Sequence, residues 1–384
     1  MIPATPTYND WPSSRAFDRE GAGRRRPQAR NERGVMKSSD RMASSATFAA
    51  DTVFAVADQH RDPVSGHGRV PDRRPEPGEL AVAPMDSPFF SEAVTEGGGV
   101  LGSVGEKTRG LVWLSEKRAD ELAEILQAHP SIGWVQLPWA GVDGFAEVLA
   151  QYADGSGPLF TSAKGAYSEP VAEHAVALTQ AVLREFAPKA RAAAWAPIRT
   201  GLSLYGRHVV IVGAGGISAE IIRLLQPYRS VITVVRRTAG DMPGADRTVT
   251  VESLHEVLPL ADVVILAAAS TTETRALIGT DELALLQPTA ALVNIARGVL
   301  VDQDALAIAL RKQKLLGAGI DVTTPEPLDA DHALWGEPRC LITSHSADTP
   351  EMTAPLLARR ITENVRAFLG DGRFVGIVDP AAGY

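Results

Sequence analysis

The sequence contains a single cysteine, Cys340, among 384 residues, and this scarcity excludes several classes of protein. A disulfide framework and a thiolate metal cluster both need several cysteines, whereas a nearly cysteine-free chain is typical of a reducing compartment. Long apolar runs are also missing, since the nearest candidate, residues 43–57, contains Asp51 and is shorter than the roughly 18 residues that cross a bilayer. It also starts too far along the chain for a signal peptide. We therefore expect a cytoplasmic protein without a membrane partner.

An excess of basic residues is the next feature that the sequence lacks. Lysine and arginine together number 38 against 46 acidic residues, which gives a net charge of -8. Binding to nucleic acid needs a basic surface that neutralises phosphates, so this balance argues against nucleic acid as a partner. The remaining composition, 45% hydrophobic and 22% charged, is that of a globular protein long enough for two domains.

Residues 1–78 differ in composition from the rest of the chain. They are rich in Arg, Pro, Ser, Asp and Gly and show little apolar periodicity, which predicts a mostly disordered extension. A targeting arm and a basic interaction tail are the functional alternatives. Acidic residues mixed into the segment weaken the targeting alternative, and an extension without a function is the favoured interpretation.

From Leu80 onward, short apolar strands alternate with amphipathic helices, a pattern typical of α/β layers with parallel strands. The alternation restarts after Gly206 with strands that are apolar on both faces, which indicates a doubly wound sheet. We expect the last helical pattern, PLLARRITENVRAFLG, to return to the first unit. The sequence therefore predicts two α/β domains, a discontinuous one formed by residues 79–183 and 352–384, and an inserted one formed by residues 184–351.

A glycine-rich turn opens the first helix of the inserted domain. It consists of Gly213, Ala214, Gly215, Gly216 and Ile217, with serine at the last position of the G-x-G-x-x-G pattern. The pattern is weak alone, but here it follows an apolar strand and precedes a helix. Gly213 would allow the tight turn, Gly215 the close approach of a pyrophosphate, and the helix N-terminus would supply free amides. The inserted domain is thus predicted to be a Rossmann domain that binds a dinucleotide; a turn without a ligand is the alternative.

The end of the next strand bears on the choice of cofactor. A carboxylate that binds the adenine ribose is expected about 20 residues after the glycines, yet the strand ends in Arg236, Arg237 and Thr238. Two guanidinium groups suit a 2′-phosphate through charge-assisted hydrogen bonds. The sequence therefore favours NADP(H) and leaves NAD(H) open, because both arginines could instead be a solvated strand end.

Three further segments have the specific residues of a known family. They are NIARG at 294–298, GIDV at 319–322 running into PEPL at 325–328, and TSH at 343–345. Together, over roughly residues 80–384, they closely resemble the D-2-hydroxyacid dehydrogenase family, and the paired arginines make the chain most similar to its glyoxylate and hydroxypyruvate reductase branch. The resemblance implies a flavodoxin-like substrate domain around the Rossmann domain, and a homodimer.

The chemistry of 2-keto acid reduction accounts for a catalytic set of Arg297, Glu326 and His345. Arg297 offers a permanent planar cation for the substrate carboxylate and carbonyl. His345 is a proton donor suited to neutral pH, and a carboxylate at Glu326 would stabilise its charged form and orient it. Taken singly, each residue could be structural. The resemblance also implies cofactor contacts at Ile295, Ala296 and Asp321, and substrate contacts at Trp139, Ala140, Gly141 and Arg297.

The sequence thus predicts an oxidoreductase that reduces small 2-keto acids, such as glyoxylate or hydroxypyruvate, to D-2-hydroxy acids by hydride transfer from NAD(P)H, without a metal. The alternative is a nicotinamide-sensing protein similar to the corepressor branch of the family, which would bind the cofactor without physiological turnover. Ser344 departs from the family pattern, which usually has proline there. His174 is interpreted as a helix-packing residue, and the role of Tyr167 is left open.

Overall fold

The computed structural model describes residues 68–195 and 199–383, so most of the predicted extension lies outside the described residues. The last part of this segment, residues 68–78, contacts the rest of the protein. Arg69 pairs with Phe374 through backbone hydrogen bonds in both directions, and Pro75 is buried. Backbone pairing and one buried ring thus hold this segment, although its sequence has no periodic apolar pattern.

The first sheet is parallel and follows the order β1-β2-β3-β4. Its strands are β1 (Glu79–Ala83), β2 (Thr108–Trp113), β3 (Trp134–Gln136) and β4 (Leu159–Thr161). Beyond β1, Leu101 forms a parallel bridge to Leu80, so the strand next to β1 in a flavodoxin-like order is reduced here to one residue.

The helices of this first unit alternate with its strands, as the sequence predicts. They are α1 (Pro88–Glu96), α2 (Ala119–Ala128), α3 (Ala146–Ala150), α4 (Ser168–Leu183) and the short α5 (Phe186–Ala190). The start of α1 is encoded locally, because Ser87 accepts a hydrogen bond from the amide of Phe90 and a proline occupies the first helical position.

The second sheet is also parallel and has the order β11-β10-β9-β8-β5-β6-β7. Its strands are β5 (His208–Val212), β6 (Val231–Arg236), β7 (Arg247–Thr250), β8 (Val263–Leu266), β9 (Ala291–Asn294), β10 (Gly317–Ile320) and β11 (Cys340–Ile342). The order reverses between β5 and β8, which is where doubly wound sheets bind their ligands, at the carboxyl ends of the strands. The predicted doubly wound sheet is confirmed.

Helices cover both faces of this sheet, and the last helix leaves it. They are α6 (Gly216–Leu225), α7 (Leu254–Val257), α8 (Thr280–Leu285), α9 (Gln303–Arg311) and α10 (Pro350–Leu369). In α10, Thr362 donates a hydrogen bond to the carbonyl of Ala93 at 2.9 Å, and Arg360 donates to the carbonyls of Ser162 and Lys164. The last helix thus lies on the first unit, as expected, whereas the exact domain boundaries stay a prediction.

Helix α4 joins the two units. Although the sequence assigns it to the first domain, it packs on α6 and on β10 of the second sheet. The strand accommodates it with glycines, since a Cβ on Gly319 would lie 3.0 Å from Leu178 and one on Gly317 would lie 3.1 Å from Val182. Within the described ranges, no helix is long and apolar enough to cross a membrane.

Candidate active site

The glycine turn connects β5 to α6 at the point where the strand order reverses. Gly213 has φ of 115°, and a Cβ there would lie 2.4 Å from the carbonyl oxygen of Ala267. Only glycine fits both conditions. A Cβ on Gly215 would instead meet no atom within 4 Å, so space is open at the first turn of α6. Since Gly215 is the N-cap and forms no side-chain cap, the amides of this turn can receive an anion such as a pyrophosphate.

The other residues of the turn support its shape. Ser218 is fully buried and donates a hydrogen bond from its hydroxyl to the carbonyl of Gly213 at 2.9 Å. A serine therefore fits where the pattern has its third glycine. Ala214 and Ile217 pack against the larger hydrophobic core, and a Cβ on Gly216 would lie 2.7 Å from the hydroxyl of Ser168 in α4.

The two arginines lie at the carboxyl end of β6, next to the strand that leads into the glycine turn. Arg236 is half-buried and donates to the carbonyls of Gly240 and Asp241, whereas Arg237 and Thr238 are exposed. The pKa of Glu273 is lowered mainly by a hydrogen bond from Thr271, and the positive charge of Arg237 lowers it further. Cationic groups therefore lie beside the dinucleotide site, on the side away from β9, β10 and β11.

Arg297 follows β9 at the opposite side of the switch point. The two residues before it, Ile295 and Ala296, are buried. The guanidinium of Arg297 donates to the carbonyl of Ala296 at 2.7 Å and reaches across the cleft to Asp143 of the first unit. Its side chain is 36% exposed, so the cation lies at the surface of the cleft, accessible to a small anion.

His345 and Glu326 form a pair beside Arg297. Nδ1 of His345 lies 2.8 Å from Oε2 of Glu326. Burial alone would lower the pKa of His345, but the hydrogen bond and the negative charge of Glu326 outweigh it and raise the pKa above its usual value. Burial likewise raises the pKa of Glu326, and the hydrogen bond and charge of His345 outweigh that effect, so the pKa is lowered. The pair therefore favours an imidazolium held by a carboxylate.

Asp321, at the end of β10, organises the loop that contains His345. Its carboxylate accepts hydrogen bonds from the hydroxyl of Thr343 at 2.6 Å and from the amides of Ser346 and Ala347 at 2.8 and 3.2 Å. The residue is 2% exposed, and these contacts are all to protein groups. Its predicted contact with the nicotinamide stays a prediction.

His174 contacts two polar residues of the second unit in addition to packing within its helix. From α4, its Nε2 lies 2.9 Å from the hydroxyl of Thr343 and 3.3 Å from Oδ1 of Asp321. Burial raises the pKa of Asp321, but hydrogen bonds from His174 and Thr343 outweigh it and lower the pKa. The helix between the two units is thereby linked to the loop of His345.

The backbone of this loop explains one departure from the family pattern. Ser344 and His345 have φ of 51° and 54°, in the left-handed region. A proline ring fixes φ near −65°, so proline could not adopt this conformation at residue 344. The serine and the local backbone are consistent with each other.

The predicted substrate loop lies across the cleft from Arg297. A Cβ on Gly141 would lie 1.6 Å from Nη2 of Arg297, so the guanidinium rests on the backbone of this glycine. Within the part of the chain that the structure describes, the amides of Ala140 and Gly141 donate no hydrogen bond, which leaves them for a carboxylate. Trp139 is half-buried and meets Tyr167 edge-on, and the hydroxyl of Tyr167 donates to the carbonyl of Pro138 at 2.7 Å. Tyr167 therefore supports the loop.

The sequence assigned no role to three acidic residues around the cleft. Asp143 contacts Arg297 directly. Glu116, after β2, packs on the backbone of Gly144, and burial raises its pKa while Arg297 opposes the shift. Burial also raises the pKa of Asp348 to about 6, against the opposing charge of His345. Only their nearness to motif residues could have signalled Asp143 and Asp348, and the sequence holds no such signal for Glu116.

The chain is similar to proteins of known family. Residues 175–347 match the family model described as D-isomer specific 2-hydroxyacid dehydrogenase, NAD binding domain. Glyoxylate reductase of Pyrococcus furiosus is 31% identical to the chain over 269 residues, which amount to 67% of this chain and 78% of that protein. The chain belongs to the D-2-hydroxyacid dehydrogenase family. It is therefore an NAD(P)-dependent oxidoreductase, a 2-hydroxyacid dehydrogenase or reductase, as the resemblance implied.

Solved structures agree with the fold. The TT0316 protein from Thermus thermophilus superposes with a TM-score of 0.63 and 28% identity, covering 78% of this chain and 99% of that one. A D-isomer specific 2-hydroxyacid dehydrogenase from Xanthobacter autotrophicus, in complex with NADPH and MES, gives a TM-score of 0.67 at 24% identity, with 80% and 99% covered. The predicted two-domain α/β fold with a Rossmann domain is confirmed.

Proposed function

We propose that this member of the family reduces small 2-keto acids, of the glyoxylate and hydroxypyruvate type, to D-2-hydroxy acids. The observation that supports this most directly is the pair of His345 and Glu326 at 2.8 Å beside the accessible cation of Arg297. A proton donor next to a carboxylate anchor is what the reduction of a 2-keto acid requires. The glyoxylate reductase from Pyrococcus furiosus supports the choice of substrate class.

The catalytic work falls to three side chains. Arg297 binds the substrate carboxylate and polarises the carbonyl, and the amides of Ala140 and Gly141 hold the same carboxylate from the other side. Glu326 accepts the hydrogen bond from Nδ1 of His345, which leaves the proton on Nε2 for the carbonyl oxygen. The nicotinamide cofactor, when bound, supplies the hydride for the carbonyl carbon. The raised pKa of His345 favours the protonated form of this donor.

We also propose that the cofactor is preferably NADP(H). Arg236 and Arg237 lie where an acidic residue would bind the unphosphorylated ribose, and Thr238 follows with a further donor. Guanidinium groups there would bind a 2′-phosphate. A homodimer and a cytoplasmic location stay predictions.

The deciding experiment is an activity matrix of NADPH and NADH against glyoxylate, hydroxypyruvate, pyruvate and 2-oxoglutarate. We expect turnover with the small keto acids and a higher kcat/KM with NADPH. Arg297→Ala should lower kcat/KM by about 10²-fold to 10³-fold, because it removes the anchor and an electrostatic stabiliser of the transition state. The matched control is Arg311→Ala, on the exposed end of α9, which should retain activity. Absence of turnover with every pair would reject the proposal and favour the cofactor-sensing alternative.

A further inference from the structure

The contact between Asp143 and Arg297 joins the two halves of the active site. Asp143 begins the short 3-10 turn Asp143–Phe145 in the first unit, and Arg297 follows β9 in the second sheet. Nε of Arg297 donates to Oδ2 of Asp143 at 2.9 Å, and Nη2 lies 2.9 Å from the same oxygen. One edge of the guanidinium is thus bound by a carboxylate oxygen from across the cleft.

The remaining hydrogen-bond donors of Arg297 can be counted. A guanidinium has five N–H groups. Two contact Asp143, and one on Nη1 is donated to the carbonyl of Ala296 at 2.7 Å. Among the described residues, one N–H on each of Nη1 and Nη2 therefore remains without an acceptor. The Nη1–Nη2 edge of a guanidinium matches the two oxygens of a carboxylate in the bidentate geometry that arginine favours.

The backbone around Asp143 restricts where the guanidinium can lie. The position of a Cβ on Gly141 is 1.6 Å from Nη2 of Arg297 and 3.1 Å from Oδ2 of Asp143. The cation is therefore held between the bare backbone of Gly141 and the carboxylate of Asp143. The amides of Ala140 and Gly141, in the same loop as Asp143, have no acceptor among the described residues.

We propose that Asp143 is a positioning residue for Arg297: it holds the Nε–Nη2 edge of the guanidinium so that the Nη1–Nη2 edge receives the substrate carboxylate. The inference rests on the proposed function, in which Arg297 is the carboxylate anchor. If Asp143 mainly stabilised the fold, its removal would instead lower the melting temperature. With side chains 36% and 49% exposed, the ion pair should contribute little to the stability of the fold.

The test is a double-mutant cycle with Asp143→Ala and Arg297→Ala. Asp143→Ala should raise the KM for the keto acid by about 10-fold to 100-fold, since a misplaced anchor loses affinity and alignment. The KM for NADPH and the melting temperature should stay unchanged. Added to Arg297→Ala, the same substitution should change kcat/KM less than about 2-fold, because Asp143 acts only through the arginine. Asp143→Glu should restore part of the loss, and Glu147→Ala, exposed in α3, is the control.

Two results would overturn the inference. A lower KM after Asp143→Ala would show that Asp143 competes with the substrate for Arg297, and equal losses in both backgrounds would show that it acts independently of the arginine. The cycle is repeated with the affinity for oxalate, measured by calorimetry with NADPH present. This arm needs no turnover. A wild-type protein that binds oxalate without reducing keto acids would reject the proposed function while still testing the role of Asp143.

Discussion

The two sides of the active site consist of different chemical groups, backbone amides at the glycine turn and ionisable side chains at the cleft of Arg297. At the glycine turn, the ligand site consists of backbone amides and small side chains, and its shape depends on φ of 115° at Gly213 and on empty space at Gly215. At the cleft of Arg297, the site consists of ionisable side chains from both units, whose pKa values depend on one another. A site of the first kind is sensitive to atoms added to the chain. A site of the second kind is sensitive to charge and pH.

The largest effect should come from removing the proton donor on the charged side. His345→Asn keeps a side chain that tolerates the left-handed backbone at φ of 54°. The asparagine amide cannot act as a proton donor at neutral pH. We expect kcat for keto-acid reduction to fall about 10²-fold to 10⁴-fold, while the affinity for NADPH stays unchanged. Steady-state kinetics and NADPH fluorescence titration measure the two quantities. His255→Asn, at an exposed pair with Glu282, is the control, and a matching loss of NADPH affinity would contradict the separation of the two sides.

The backbone side can be tested with two glycines of the same turn. Gly213→Ala should lower the free energy of unfolding by about 1–3 kcal/mol, because it forces an alanine into a strained backbone against the carbonyl of Ala267. Gly215→Ala should leave stability unchanged and weaken NADPH binding, because its Cβ enters the space reserved for the phosphates. Thermal unfolding and cofactor titration separate the two results. Unchanged cofactor affinity in Gly215→Ala would place the phosphates elsewhere.

The pairing on the charged side predicts a shift in pH dependence. Glu326 raises the pKa of His345, so Glu326→Gln should lower it. Because reduction needs the protonated imidazole, kcat/KM falls as pH rises through the pKa of His345. In the variant this fall should occur at lower pH, so that activity at alkaline pH is reduced. The pH profile of kcat/KM for the variant checks this, with Glu351→Gln as the control. A profile that keeps its alkaline limb in place would show that another group sets it.

The smallest effect concerns Asp348. Its pKa of about 6 in the folded protein exceeds the ordinary value of 3.8, so the group binds a proton more tightly in the folded state, and stability is lost as pH rises from about 4 to above 6. Asp348→Asn removes this cost. We expect the free energy of unfolding to rise by about 1–3 kcal/mol at pH 8 and to stay unchanged at pH 4. Denaturant unfolding at the two pH values tests this, with the exposed Asp331→Asn as control; an equal gain at both would contradict it.

The sequence predicted most of the fold correctly because its signals are local. The apolar strands, the glycine turn and the N-cap at Ser87 each depend on a few neighbouring residues. The pairing of Arg69 with Phe374 could not be predicted, because the two residues are more than 300 positions apart along the chain. The contact of His174 with Thr343 could not be predicted for a similar reason, since Thr343 follows a distant strand.

The sequence by itself determined the two α/β units, the dinucleotide turn and the residue types that the chemistry needs. Each follows from periodicity, from glycine at a position that excludes a Cβ, or from motifs a few residues long. Only the tertiary structure decided that Asp143 holds Arg297, that His174 supports the loop of His345, and that Glu116 and Asp348 have raised pKa values. Burial and distance between charges set these properties, and both arise when distant parts of the chain come together.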